Sequence, residues 1–193
     1  SFYANKHITS GEGGALLTDN DDIYNKVKQI RNLDFNSSKR FKHDNLYWNY
    51  RLSGLQAAFG NSSIKNIDKV IDTKIKKAQV YNELFSEHED ILQVPLVELN
   101  GIQNHYWVYG IIPKVNIDRN LIMSSLHDSG IETRPFFYPL NKQPAYIKLN
   151  KEVTSCPVSE EIGEKGFYIP IGSHVKVKQQ KRIVEQIVNL IKS

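Results

Sequence analysis

Lys6 lies between Ser1-Phe2 and a glycine-rich turn, Gly11-Glu12-Gly13-Gly14. A lysine placed between a short strand and such a turn can be held where little solvent reaches it, and a neutral amine is the group that forms a Schiff base with a carbonyl. The turn is not a phosphate loop. It lacks the lysine and Ser/Thr that follow the P-loop glycines, and it lacks G-x-G-x-x-G spacing. Its glycines suit positive φ angles and a close backbone approach instead. Taken alone, a lysine in this position is most often an ordinary surface residue, so Lys6 gains weight only from its surroundings.

Other reactive side chains point to fewer chemistries. His7, His43, His88, His105, His127 and His174 are scattered, and no pair has the spacing of a helical zinc motif, so no metal is expected. Cys156 precedes Pro157 without an evident activating partner and reads as a small packed residue. As a single cysteine it makes no disulfide within the chain, and a reducing cytoplasm is the default location. The formal net charge of +4 over 193 residues is spread along the chain. It forms no basic, aromatic-rich patch of the kind that binds nucleic acid, and no apolar run approaches the roughly 20 residues of a membrane span. A mild attraction for an anionic ligand such as a nucleotide competes with the plainer reading of a lysine-rich solvated surface.

Local patterns predict the elements that would position these groups. Residues 7–19 read as a short hairpin around the glycine turn, and 21–31 as a helix with an acidic start and Ile23, Val27 and Ile30 on one face. Residues 32–52 show no helical period but hold Phe35, Phe41, His43, Tyr47, Trp48 and Tyr50, the composition of a functional loop. From 53 to 85 apolar residues recur at three- and four-residue steps, which predicts one long helix or two in tandem, with Asn61-Ser62-Ser63 as the interruption. A composition shift at 86–90 opens a region of short alternating elements. It holds a β-rich stretch at 106–112, a helix capped by Asp118 and ending at Gly130, and a strand over 131–133. A helix capped by Ser159, a strand over 167–170 and an amphipathic helix over 175–191 follow.

The opening stretch SFYANKHITSGEGG resembles the cofactor-lysine segment of the DegT/DnrJ/EryC1/StrS family of sugar aminotransferases, which use pyridoxal phosphate. That pattern, S-F-x-x-x-K-x-I-T-x-G-E-G-G, is matched by Ser1, Phe2, Lys6, Ile8, Thr9, Gly11, Glu12, Gly13 and Gly14. The resemblance continues through YWNYRLSGLQAAFG at 47–60, IETRPFFYPLNKQPAY at 131–146 and CPVSEEIGEKGFYIPIG at 156–172. RPFFYP, QPAY and HYWVYGI are most similar to the perosamine synthase branch, which acts on a GDP-linked 4-keto-6-deoxy sugar. A polar Asn61-Ser62-Ser63, where the family has small and apolar residues, is a departure that bears on the packing or dimer contact of that helix.

The resemblance implies an α/β fold, the C-terminal half of a fold-type-I pyridoxal phosphate transferase. Residues 1–52 would be the remainder of the large cofactor-binding domain, 53–85 the long connecting helix and 86–193 a small α+β domain. Lys6 would bond the cofactor and move a proton between its C4′ and the sugar carbon. Ser1 would bind the cofactor phosphate, and Asn49 would reach the same phosphate from the neighbouring subunit of a homodimer. Arg51 and Arg134 would hold substrate anion or sugar groups, with a structural salt bridge or turn anchor as the competing reading. Tyr50, Trp107, Phe136, Phe137 and Tyr138 would line a sugar-nucleotide pocket, unless they serve as core.

Because family members are about twice as long, the chain is expected to lack the segments that hold the ring and its nitrogen, and to be inactive alone. The implied reaction moves an amino group from an amino acid, L-glutamate, to a nucleotide-linked 4-keto-6-deoxyhexose for cell-surface polysaccharide. A lysine at position 6 argues against the related dehydratases, which carry histidine there. Two alternatives stay open: a catalytically silent nucleotide-sugar-binding or dimerisation module, and a folded remnant with an exposed apolar face.

Overall fold

A computed structural model describes residues 1–35, 41–149 and 153–193. Residues 36–40, within the expected 32–52 loop, and 150–152 lie outside the described residues. The chain divides into two compact units, Ser1–Val70 and Ile71–Ser193.

Unit 1 begins with a loop rather than the expected hairpin. Residues 15–17 have no partner strand among the described residues, and the turn is closed instead by the Phe2 N–H donating to the Gly13 carbonyl at 2.8 Å and the Ser10 N–H to the Phe2 carbonyl at 3.0 Å. Helix α1 (Asp21–Arg31) forms where predicted, although Asn20 rather than an aspartate caps it, its Oδ1 accepting from the Ile23 N–H at 3.0 Å. Asp21 and Asp22 in its first turn and Lys28 and Arg31 in its last complement the helix dipole.

The 53–85 pattern resolves into two tandem helices, α2 (Gly54–Ile64) and α3 (Ile67–Phe85). Ser53 and Gln56 form a reciprocal capping box at the start of α2. Asn61-Ser62-Ser63 does not interrupt that helix. The break falls after Ile64, where Asn66 donates its N–H to the Ser63 carbonyl and its side-chain amide to that of Ser62, at 3.1 and 3.2 Å.

Unit 2 is built on short antiparallel strands: β1 (Leu92–Gln93), β2 (Glu98–Leu99), β3 (Ile102–Gln103), β4 (Tyr109–Pro113), β5 (Arg134–Pro135) and β6 (Phe167–Ile169). Four of them form one sheet in the order β1-β4-β6-β5, with Tyr109 opposite Ile169 and Arg134 opposite Tyr168. β2 and β3 form a separate hairpin whose turn residues, Asn100 and Gly101, have φ of 52° and 78°. That is the left-handed pair a two-residue turn of this hand requires.

Helix α4 (Arg119–Asp128) starts at its predicted cap, the Asp118 carboxylate accepting from the Asn120 N–H at 2.8 Å. Its C-terminal turn uses Gly130 at φ 72° and the Ile131 N–H bonded to the Leu126 carbonyl at 2.8 Å. Ile131 therefore finishes the helix, and the following strand begins only at Arg134. Helix α5 (Pro144–Leu149) is short.

Helix α6 (Pro157–Lys165) starts ahead of the expected Ser159 cap. Pro157 occupies the first turn, and the Glu160 carboxylate accepts the Cys156 N–H at 3.0 Å. Helix α7 (Val177–Lys192) lays Ile183, Val184, Ile187, Val188 and Ile191 into the core, as its periodicity predicts.

That core joins α7 to Ala78, Tyr81 and Phe85 of α3 and to Tyr109 and Ile111 of β4. Tyr109 sits 4.9 Å from the Tyr81 ring and donates its hydroxyl to Asn82 Oδ1 at 2.7 Å, while the Tyr81 hydroxyl donates to the Pro170 carbonyl at 2.8 Å. Burial pushes both phenols well above their usual ionisation range.

Candidate functional site

The lysine loop of unit 1 is fixed by backbone bonds and by α2. Lys6 is half-buried and its N–H donates to the Tyr3 carbonyl at 3.0 Å. The Thr9 hydroxyl donates to the Phe2 carbonyl at 3.2 Å and accepts from the Gly11 N–H at 3.0 Å. The Thr9 N–H donates to Ser63 Oγ at 3.0 Å, so the polar residue that departs from the family pattern is a point where α2 holds the loop.

Gly13 adopts φ 117°, and a Cβ there would lie 2.8 Å from Leu52 Cδ1. Both the hand of the turn and this close approach demand glycine. A Cβ on Gly14 would touch the backbone of Ser1, which is exposed and accepts the Tyr3 N–H at 3.4 Å through Oγ. Ser1 and Lys6 thus share one braced loop, and through Leu52 the loop adjoins the segment that carries Asn49, Tyr50 and Arg51.

That segment pairs with the end of α1. Asn32 bridges Asn49, the Tyr50 N–H donates to the Arg31 carbonyl at 2.9 Å, and the Leu33 N–H to the Trp48 carbonyl at 3.3 Å. Asn49 Oδ1 accepts from the Arg51 N–H and Nε at 3.2 and 3.0 Å. The amide is thereby oriented with its NH2 group as a donor, beside a guanidinium. Tyr50 and Arg51 are exposed.

Unit 2 gathers three of the expected substrate residues and separates a fourth. Trp107 and Phe137 stack with centroids 5.9 Å apart. Phe136 stands edge-on to Tyr168 and overhangs Gly110 and Gly166, where any Cβ would overlap its ring. Trp107 and Phe136 line a cleft of about 340 Å³ with Gln93, Leu96, Asn104 and Ile112. Lys74 donates to the Trp107 carbonyl at 3.4 Å, and burial lowers the pKa of its amine. Arg134 instead pairs with Glu132 at 2.8 Å, both side chains largely in water, which is the salt-bridge reading of that residue. Tyr138 is exposed.

Sequence reasoning missed Ser63 as a loop anchor and missed Asp34 entirely. The signal for Asp34 was the run Asn32-Leu33-Asp34 directly after a helix, since Asn and Asp tolerate left-handed backbone. Leu33 and Asp34 have φ of 58° and 59°.

The donors of unit 1 fit pyridoxal phosphate chemically. A half-buried primary amine suits the aldehyde, and the Ser1 hydroxyl and Asn49 amide suit a phosphate. Among the described residues no His, Cys, Asp or Glu cluster suits a metal ion, and no helix is long and apolar enough to cross a membrane.

Residues 1–188 match the DegT/DnrJ/EryC1/StrS aminotransferase family, and the chain belongs to it. Among its relatives, GDP-perosamine synthase of Vibrio cholerae is 35% identical over 191 residues, covering 98% of this chain and 51% of that protein. The structure superposes on Helicobacter pylori PseC, an aminotransferase of pseudoaminic acid biosynthesis, with a TM-score of 0.86 at 21% identity, over 100% of this chain and 52% of PseC. It also superposes on the GDP-4-keto-6-deoxy-D-mannose-3-dehydratase of E. coli with a TM-score of 0.81 at 19% identity, over 96% and 52%. The fold alone is thus shared by amino transfer and dehydration. The chain spans about half the length of the curated relatives it matches.

Proposed function

We propose that this chain carries the lysine-bearing part of a pyridoxal phosphate-dependent aminotransferase. It would pass an amino group from an amino acid, L-glutamate, to a nucleotide-linked 4-keto-6-deoxyhexose in cell-surface polysaccharide synthesis. The observation that carries this reading is Lys6, half-buried on a loop that Ser63, Thr9 and Gly13 hold rigid, with a hydroxyl and an amide suited to a phosphate on the same and the adjoining segment. When bound, pyridoxal phosphate supplies an aldehyde and an electron-withdrawing ring.

Lys6 would hold the group through its aldehyde, with loss of water, and as a free amine would carry a proton between the cofactor's C4′ and the sugar carbon that gains nitrogen. Ser1 and the NH2 of Asn49 anchor the phosphate, Asn49 from the second subunit of a homodimer. Arg51 offers a guanidinium to substrate anions, and the Trp107–Phe136 cleft of unit 2 offers aromatic surface to the sugar nucleotide. GDP-linked perosamine chemistry is the branch favoured by the 35% identical relative. Cytoplasmic location and assembly with the remaining half of a family-length enzyme complete the reading.

Borohydride reduction after incubation with pyridoxal phosphate, followed by peptide mass analysis, is expected to leave a pyridoxyl group on Lys6. Labelling spread evenly over surface lysines, or none, overturns the assignment.

A second reading, a silent binding or dimerisation module, is favoured by the exposed apolar residues of unit 1, among them Leu17, Trp48, Leu55 and Phe59. It predicts self-association without Lys6 labelling.

A further inference from the structure

Only two described side chains of unit 1 are buried, and both are polar: Ser10 at 4% exposure and Asp34 at 5%. Ser10 belongs to the lysine loop, where its hydroxyl donates to the Glu12 carbonyl. Asp34 belongs to the turn that follows α1. Its Oδ2 accepts from the Asn45 N–H at 2.7 Å and from the Asn45 side-chain amide at 3.1 Å, and its Oδ1 accepts from the Gln29 side-chain amide. One carboxylate therefore ties the last turns of α1 to Asn45, at the start of the stretch that ends in Asn49-Tyr50-Arg51. The same turn makes backbone bonds to that stretch through Leu33 and Tyr50.

We propose that Asp34 is a positioning residue for the anion-binding pair Asn49 and Arg51: its buried carboxylate clamps residues 45–51 in register with the end of α1, and so presents the Asn49 amide to a phosphate. The inference rests on the functional reading above. A buried carboxylate is costly unless several donors satisfy it, and here Asn45 and Gln29 do so. Burial raises its pKa, but the hydrogen bonds from Asn45 and Gln29 outweigh that and hold it below the usual carboxylate range. The group is thus charged at neutral pH, and bonds to a charged acceptor are stronger than neutral ones. The residue's backbone, at φ 59°, is one that glycine adopts freely, so the carboxylate is separable from the turn.

The test compares Asp34→Gly and Asp34→Asn with wild type, reading the concentration of pyridoxal phosphate and of unphosphorylated pyridoxal needed to label Lys6 under borohydride. Glycine keeps the turn and removes the clamp. Losing hydrogen bonds to a charged group is expected to cut the preference for the phosphorylated compound about tenfold, with pyridoxal labelling unchanged. Asparagine, which tolerates this backbone and retains one acceptor oxygen, is expected to fall between. Equal loss for both compounds, or an unchanged preference, overturns the positioning role.

Hydrogen exchange of the Asn45 and Tyr50 amides is measured on the same proteins without ligand. It should accelerate in Asp34→Gly while the α7 amides do not change, and unchanged exchange also overturns the clamp. Failure of wild type to label with either compound sinks the functional reading instead, while the exchange measurement still decides on Asp34.

Discussion

The two units of this chain are held together by different forces. Every buried hydrophobic residue of the described chain, from Ala78 to Ile191, lies in unit 2, whereas the buried residues of unit 1 are a serine and an aspartate. Unit 2 is a conventional small domain in which residues of α3, α4 and α7 share one apolar core with β4 and β6, and apolar burial supplies its stability. Unit 1 keeps its shape through directed hydrogen bonds, with Leu17, Leu46, Leu55 and Phe59 left facing outward. Hydrogen bonds position atoms well but add little net stability each. The unit with the chemically interesting residues is therefore the better placed one, and unit 2 the better anchored.

Substitutions in the two units should expose this difference. Phe85→Ala removes a fully buried ring and is expected to cost about 3–5 kcal/mol in urea unfolding. Phe59→Ala removes a ring of the same size that is 70% exposed, and should stay within about 0.5 kcal/mol in the same experiment. Comparable losses at both sites would mean that unit 1 has a core after all. Gly166→Ala drives a methyl group into the Phe136 ring and the Ile162 carbonyl, and a loss of about 1–3 kcal/mol from overpacking is expected in a thermal melt.

An acid-dependent effect concerns a polar clasp within unit 2. Glu160 bonds Lys142, the Cys156 N–H and Asn141, and these partners hold its pKa down to about 2 against 4.5 for a free side chain. A carboxyl with a depressed pKa stabilises the fold at pH values above 4.5 and loses that contribution as the pH falls from there toward about 2. Circular dichroism melts between pH 5 and 2 should show this acid sensitivity weakened in Glu160→Gln.

Legibility in the sequence followed the range of the interactions. α1, α4 and α7 were readable because caps and periodicity are local, as in Asp118 starting α4 and the apolar stripe Ile183, Val184, Ile187 and Ile191. The 98–103 hairpin announces itself only in Asn100-Gly101, since two-residue strands are too short to show alternation. The supposed 7–19 hairpin had turn residues, but strand pairing depends on a partner, and residues 15–17 have none among those described.

At the site, the Lys6 loop and Gly13 could be read from one contiguous motif. The seat of Phe136 depends on Gly110 and Gly166 converging from distant positions, and the Asp34–Asn45 clamp joins two stretches with no shared pattern. Arg134 carries the same motif letters whether it meets a substrate or Glu132, and only the folded chain distinguishes them.

The aromatic cluster around Tyr109 gives unit 2 an optical signature of its own. Tyr81 and Tyr109 are sealed in its core together with Tyr106, whereas Tyr24 and Tyr50 of unit 1 are exposed. Burial keeps Tyr81 and Tyr109 as neutral phenols to a higher pH than a free side chain. Because the unfolded chain ionises them near pH 10 and the native one does so only at higher pH, stability falls as alkali is added. A late, abrupt step in ultraviolet absorbance would therefore time the opening of unit 2 without any introduced probe.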